Sequence, residues 1–222
     1  MIAAPGSAVS TIGIYGAGKA GIAIARRALA AGYDVRIATN GRAERVELVT
    51  RVLLAGASAV DSTELSDGAD LIILAVPLRR WRELPLHLLS GLVVDAMNYW
   101  PPVDGALPEF EDSSRTSSEI VRDGLPTQAR LVKALNHIGY HQLEELARPH
   151  GALDRIALAV ASDIPSASET VAQVVDNLGF DPVIIESLVS GRLLQPGSSR
   201  FGTDLPRTLL RHEFATAHAG TL

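Results

Sequence analysis

The chain has 222 residues, 47% hydrophobic and 20% charged, with a formal net charge of −5 and no cysteine. That length supports one substantial core, and an acidic balance without any Lys/Arg block excludes electrostatic docking on nucleic acid or an anionic membrane surface. Lack of cysteine excludes a disulfide framework, a thiol nucleophile and a Cys-ligated metal, and fits a cytoplasmic protein.

Residues 1–10 have neither the basic start nor the apolar core of a signal peptide and read as a flexible lead to a single domain over 11–222. No apolar stretch reaches membrane-spanning length. Thr11 to Tyr15 reads as a strand, and it runs into Gly16-x-Gly18-x-x-Gly21 and then a helical pattern from Lys19 to Ala31, closed by Gly32. Each glycine has a physical reason: Gly16 for the tight turn, Gly18 for close approach of a pyrophosphate, Gly21 for helix–strand packing. The helix N-terminus offers Ala17, Gly18, Lys19 and Ala20 to that pyrophosphate. Lys19 either reaches a phosphate or is a solvated first-turn residue.

Asp34–Thr39 reads as a second strand, 42–54 as a helix, and Ala57–Val60 as a short third strand. NAD-binding domains place a carboxylate at the end of the second strand for the ribose 2′-hydroxyl. Here Thr39, Asn40 and Arg42 stand there, a set suited to a 2′-phosphate, so the cofactor expected is NADP(H). Alternatively, Arg42 and Arg45 are solvated on a first helical turn. Asp70–Pro77 is apolar enough for a strand covered on both faces. A helical stretch interrupted by Pro85 follows, and then a fifth strand, Leu92–Met97. Residues 98–118 read as a loop ending in the capping box Thr116-x-x-Glu119, which starts a helix stopping near Gly124. Arg130–Leu135, Arg155–Ala161 and Pro182–Ile185 are further strands, with a helix over 166–178, and beyond Gly191 the signal fades. Strand–helix alternation implies an α/β fold, a doubly wound, mostly parallel sheet in a single compact domain with a short C-terminal extension.

The chain resembles the NADP oxidoreductases that use the 8-hydroxy-5-deazaflavin coenzyme. The resemblance spans about residues 11–195. It rests on the glycine loop, Thr39-Asn40-x-Arg42, Ala75-Val76-Pro77, Val94–Asn98, Ser117–Val121, Val132–Asn136 and Gly191-Arg192-Leu193. It implies a place beside the nicotinamide for Ala75, Val76, Pro77, Asn98, Asn136 and the segment from His137 to Tyr140. It divides the chain into a dinucleotide half (about 11–140) and a substrate-side half (about 141–222). Pyrroline-carboxylate reductases and β-hydroxyacid dehydrogenases begin similarly but add a long helical dimerisation domain, for which the remainder of this chain is too short. Departures fall on the substrate side, at Ile184-Ile185-Glu186, at Leu194–Ser199 and in the bulky Met97 and Tyr99-Trp100.

Hydride transfer between a nicotinamide and a deazaflavin or flavin-like ring needs positioning more than side-chain chemistry, so no catalytic residue is expected. A carbonyl or imine substrate would need a proton donor, and His137, Tyr140 and His141 are the one cluster suited to that. Otherwise they line the pocket or face solvent. Trp100 either stacks on a planar substrate or packs in the core. Lys133, on a strand, suits pairing with a carboxylate better than a Schiff base. His87, His150, His212 and His218 lack metal-ligand spacing, so no metal site is expected. The readings are thus an NADP-dependent oxidoreductase with a small-molecule redox partner, or an NADP-binding module without turnover. A homodimer is one assembly open to either.

Overall fold

The computed structural model describes residues 9–111 and 114–219. Its frame is one eight-stranded sheet: β1 (Thr11–Tyr15), β2 (Asp34–Ala38), β3 (Ser58–Ala59), β4 (Leu71–Leu74), β5 (Leu92–Asp95), β6 (Arg130–Ala134), β7 (Ala157–Ala161) and β8 (Asp181–Ile185). The spatial order is β3-β2-β1-β4-β5-β6-β7-β8, and every neighbouring pair is parallel except β6 with β7. Chain order reverses between β1 and β4, the switch point at which open α/β sheets leave a crevice at their strand ends. The sheet is mostly parallel, as the sequence implies.

Strand residues alternate between two cores. Ile12, Ile14, Ile37, Ile73, Val94 and Val160 face one side, where α1 (Lys19–Ala30) and α7 (Pro165–Leu178) cover them with Ala23, Ile24, Ala28, Val171 and Val175. Ile72, Leu74, Val93 and Leu131 face the other side. There the cover is two 3-10 turns, Leu78–Glu83 and Leu86–Leu88, with Trp81, Leu84 and Leu86 inward, and α5 (Ser117–Asp123) with Val121. Pro85 does break the segment after β4, but both pieces are 3-10 rather than α. Beyond β7 and β8 a helix over Arg207–Ala219 completes that face through Leu210 and Phe214.

Several elements depart from the sequence reading. The stretch 98–118 holds two short helices, α3 (Pro101–Asp104) and α4 (Pro108–Glu111), and α6 (Tyr140–Glu145) follows β6. A 3-10 turn over Val189–Leu194 and the C-terminal helix, here α8, occupy the region where the pattern fades. Of the expected N-terminal lead, residues 1–8 lie outside the described residues. Ser10 is tied to the sheet, since its backbone N–H and its hydroxyl each donate to Asp70 Oδ2 at 2.8 Å. The capping box at Thr116 and Glu119 forms in both directions. Among the described residues no helix is long and apolar enough to cross a membrane.

Candidate functional site

The three glycines after β1 behave differently. Gly16 has φ +122°, and a Cβ there would lie 2.2 Å from the Ala75 carbonyl oxygen. At Gly21 a Cβ would lie 1.9 Å from the carbonyl oxygen of Gly16, so helix and turn touch through bare backbone. Gly18 is unlike both: its φ is −83°, and a Cβ would meet nothing within 4 Å. The fold therefore requires two of the glycines and leaves open space above the third. Gly18 is also the N-cap of α1, with no side-chain cap and no acidic residue in the first turn. The leading N–H groups of that helix and its positive dipole end are thus left for an external anion.

Two cavities adjoin at this point. The larger, about 410 Å³, is lined by Gly16, Ala17, Gly18, Thr39, Asn40, Ala75, Val76 and Pro77, together with Arg45, Arg80 and Glu83. The second, about 280 Å³, shares Gly18, Ala75, Val76 and Pro77 and adds Lys19, Ala20, Met97, Asn98 and Trp100. Both run along the carboxyl ends of the central strands. Most of the residues singled out in the sequence thus come together on one groove.

Three do not line it. Arg42 is paired with Glu44 at 3.0 Å on the exposed start of α2 (Glu44–Leu53) and is not among the cavity-lining residues, whereas Arg45 is. Arg42 and Glu44 lie two residues apart around a helix start, close enough for two guanidinium–carboxylate hydrogen bonds, at 3.0 and 3.2 Å. Asn136 is buried behind Asn98. Its Nδ2 donates to Asn98 Oδ1 at 2.9 Å and to the Leu194 carbonyl at 2.8 Å, while Asn98 Nδ2 donates to the Asn136 carbonyl at 2.7 Å. Asn136 thus braces the groove wall from behind. Tyr140 is half-buried on α6, with the Lys19 ammonium 5.3 Å from its ring centroid.

The floor beneath the β5 and β6 ends is polar and fully enclosed. Lys133 Nζ lies 3.1 Å from Asp95 Oδ2, both side chains are wholly buried, and the ammonium also donates to the Met97 carbonyl. Ser118 Oγ donates to Asp95 Oδ2 at 2.6 Å, and the Met97 N–H donates to Asp95 Oδ1 at 2.9 Å. Burial pushes the Lys133 pKa down, and the Asp95 carboxylate opposes that shift. The pairing disposes of a Schiff-base role. Next along, Leu135 adopts φ +63°, a left-handed conformation costly for a branched side chain and characteristic of strained loops at sites.

His137 is completely buried, and neither ring nitrogen makes a hydrogen bond. Burial holds its pKa down to about 4, against a weak opposing influence of the Ala157 backbone. The unfolded chain binds this proton near the ordinary value of about 6.5 and the folded protein only near 4, so stability falls as pH drops between those values. A loss on the order of 3 kcal/mol is expected over that window. Melting followed from pH 7 to 4 checks it, because His137→Phe should flatten the slope, and an unchanged slope would mean that other groups cause it.

Arg80 and Glu83 were not singled out in the sequence; three residues apart on the 3-10 turn, they pair at 2.8 Å and both line the larger cavity. Pro77 and Pro85 bracketing so short a stretch are the signal that could have shown it. Over the second cavity, Trp100 is 44% exposed and stacks on Phe201 with ring centroids 6.3 Å apart.

An open, largely parallel sheet with a glycine-rich β1–α1 turn at its switch point places this protein in the Rossmann class. Residues 11–99 match the family described as NADP oxidoreductase, coenzyme F420-dependent. Among solved structures, the hypothetical protein SMa0349 from Sinorhizobium meliloti is 29% identical with a TM-score of 0.73, over 89% of this chain and 96% of that one. A candidate F420-dependent NADP reductase from Arthrobacter sp. FB24 is 19% identical, TM-score 0.66, over 88% and 99%. Pyrroline-5-carboxylate reductase from Streptococcus pyogenes is 16% identical, TM-score 0.59, over 95% of this chain but 69% of that enzyme. The latter two likenesses are of fold. Protein YjhV of Escherichia coli K12 is 32% identical over 72 residues, 32% of this chain, so the chain spans about half of that relative, 53% of its length.

Proposed function

We propose that the groove binds NADP(H) and that the protein is an oxidoreductase passing a hydride between the nicotinamide and a deazaflavin or similar planar redox ring. The observation that carries this reading is Gly18. Its lack of a side chain serves no contact within the protein, and it faces open space at an uncapped helix end. A pyrophosphate fits that position, held by the N–H groups of Gly18, Lys19 and Ala20. When bound, the nicotinamide supplies the carbon that gives or takes the hydride. Val76, Pro77 and Asn98 flank its place, and Asn136 fixes the Asn98 amide so that only one orientation is presented. Met97 and Trp100 wall off the substrate side, to which the residues after about 140 contribute. His137 cannot exchange a proton with the groove while it is sealed in the core, which removes one of the three candidate proton donors and leaves Tyr140 and His141. The cysteine-free chain suits the cytoplasm.

One observation favours a second reading, an NADP-binding protein without turnover: Trp100, which lines the second cavity, is already stacked on Phe201 rather than free to receive a second ring. An acceptor panel separates the two. The protein is incubated with NADPH and, in turn, a deazaflavin, FMN, FAD and a quinone, and NADPH absorbance is followed. Loss of absorbance with the deazaflavin or a flavin is the expected result. Tight NADPH binding with no acceptor reduced would establish the binding module instead.

A further inference from the structure

The wall of the larger cavity opposite Thr39 and Asn40 is the 3-10 turn Leu78–Glu83. Glu83 Oε2 accepts from Arg80 Nη2 at 2.8 Å, from Arg80 Nε at 3.0 Å and from Asn40 Nδ2 at 3.2 Å; Oε1 accepts none of these. On the β2 side, Arg45 Nη1 donates to the Asn40 carbonyl at 2.8 Å. Arg45, Arg80 and Glu83 all line the cavity. Two guanidinium groups and one carboxylate therefore converge on the end of β2, where a dinucleotide's adenine ribose is recognised in this fold class.

We propose that Glu83, acting with Arg80, sets which nicotinamide cofactor the groove takes. The inference rests on the reading that the groove binds a dinucleotide. The end of β2 carries no carboxylate of its own, and Glu83 is joined to it through Asn40, so its free Oε1 stands ready to accept from a ribose 2′-hydroxyl. A 2′-phosphate meets the opposite situation. It is drawn by Arg45 and Arg80, but Glu83 already takes up the Nε and Nη2 donors of Arg80, leaving chiefly Nη1, and repels a second anion. With Arg80 beside it, the Glu83 carboxyl is held below the usual carboxylate range, so this competition operates at neutral pH. The arrangement leaves one net positive charge at the cavity mouth, enough to admit either cofactor and to restrain the preference for the phosphorylated one.

Both partners are partly exposed, with side-chain relative accessibilities of 45% for Arg80 and 43% for Glu83, so substitution there leaves the core intact. The test is calorimetric binding to the full chain of adenosine 2′,5′-bisphosphate, adenosine 5′-monophosphate, NADPH and NADH. Glu83→Gln should tighten the bisphosphate and NADPH by roughly tenfold, the scale of one charge-assisted hydrogen bond, and weaken the monophosphate and NADH slightly. Arg80→Gln should weaken only the two ligands that carry a 2′-phosphate, adenosine 2′,5′-bisphosphate and NADPH. Equal shifts in both pairs, or none, with the wild-type protein binding normally, would overturn the proposal. Failure of the wild-type protein to bind any of the four would remove the dinucleotide reading itself, and this inference with it.

Discussion

Gly21→Ala will lose about 3 kcal/mol of stability or more, whereas Gly18→Val will melt close to the wild type. At Gly21 the added Cβ falls 1.9 Å from the Gly16 carbonyl oxygen, and that oxygen belongs to a turn whose own glycine is pressed against Ala75. No side chain is available to swing aside, so relief requires moving α1 off the sheet. Overpacking of a core usually costs about 1–3 kcal/mol, and a backbone collision of this kind lies at or above the top of that range. At Gly18 a Cβ meets open space and φ is ordinary, so the cost is that of a poorer N-cap, about 1 kcal/mol. Urea unfolding of the two variants decides the matter. Equal losses at both positions would mean that the loop is merely a tight structural turn.

Breaking the pair beneath the groove should also be severe. Lys133→Met leaves Asp95 buried with only Ser118 and the Met97 N–H to satisfy it, and Asp95→Leu leaves an ammonium in the core. Removing one member of a buried pair typically costs about 3–5 kcal/mol, while replacing both with apolar residues is often close to neutral. The double variant should therefore recover much of what either single change loses. Equal stability of the singles and the wild type would show that water reaches this site. Because both charges grip Met97, the single variants should also loosen the neighbouring Asn98 and weaken dinucleotide binding, and the double variant, which loses both grips, should weaken it no less even where its stability recovers.

The sheet was legible because its central strands are short apolar runs that stop at glycine, proline or aspartate, and no helix-length reading fits them. The glycine loop was legible for the same reason, and so was the Thr116 capping box, a purely local device. What stayed hidden depended on tertiary contacts. Within residues 207–216 of α8 the buried anchors are Leu210 and Phe214, one turn apart, and Pro206, which interrupts the apolar pattern, is the residue before its first turn. α6 begins at Gly139, whose N–H donates to Gln142 Oε1 at 2.8 Å, a start signal too weak to read without the fold. In the site, Thr39, Asn40 and the Ala75–Pro77 edge were readable from position along the strands. The identity of the cationic partners was not, because Arg42, Arg45 and Arg80 are told apart only by what each one meets, Glu44, the Asn40 carbonyl and Glu83 respectively.

The most direct test of the account is calorimetric titration of NADPH into the wild-type protein and into Gly18→Val. The wild type should bind one equivalent saturably. The variant, folded as its unfolding curve will show, should lose at least a hundredfold in affinity, because the valine side chain fills the space kept for the pyrophosphate. Undiminished binding by Gly18→Val, or no binding by either protein, would contradict the assignment of this groove to a dinucleotide.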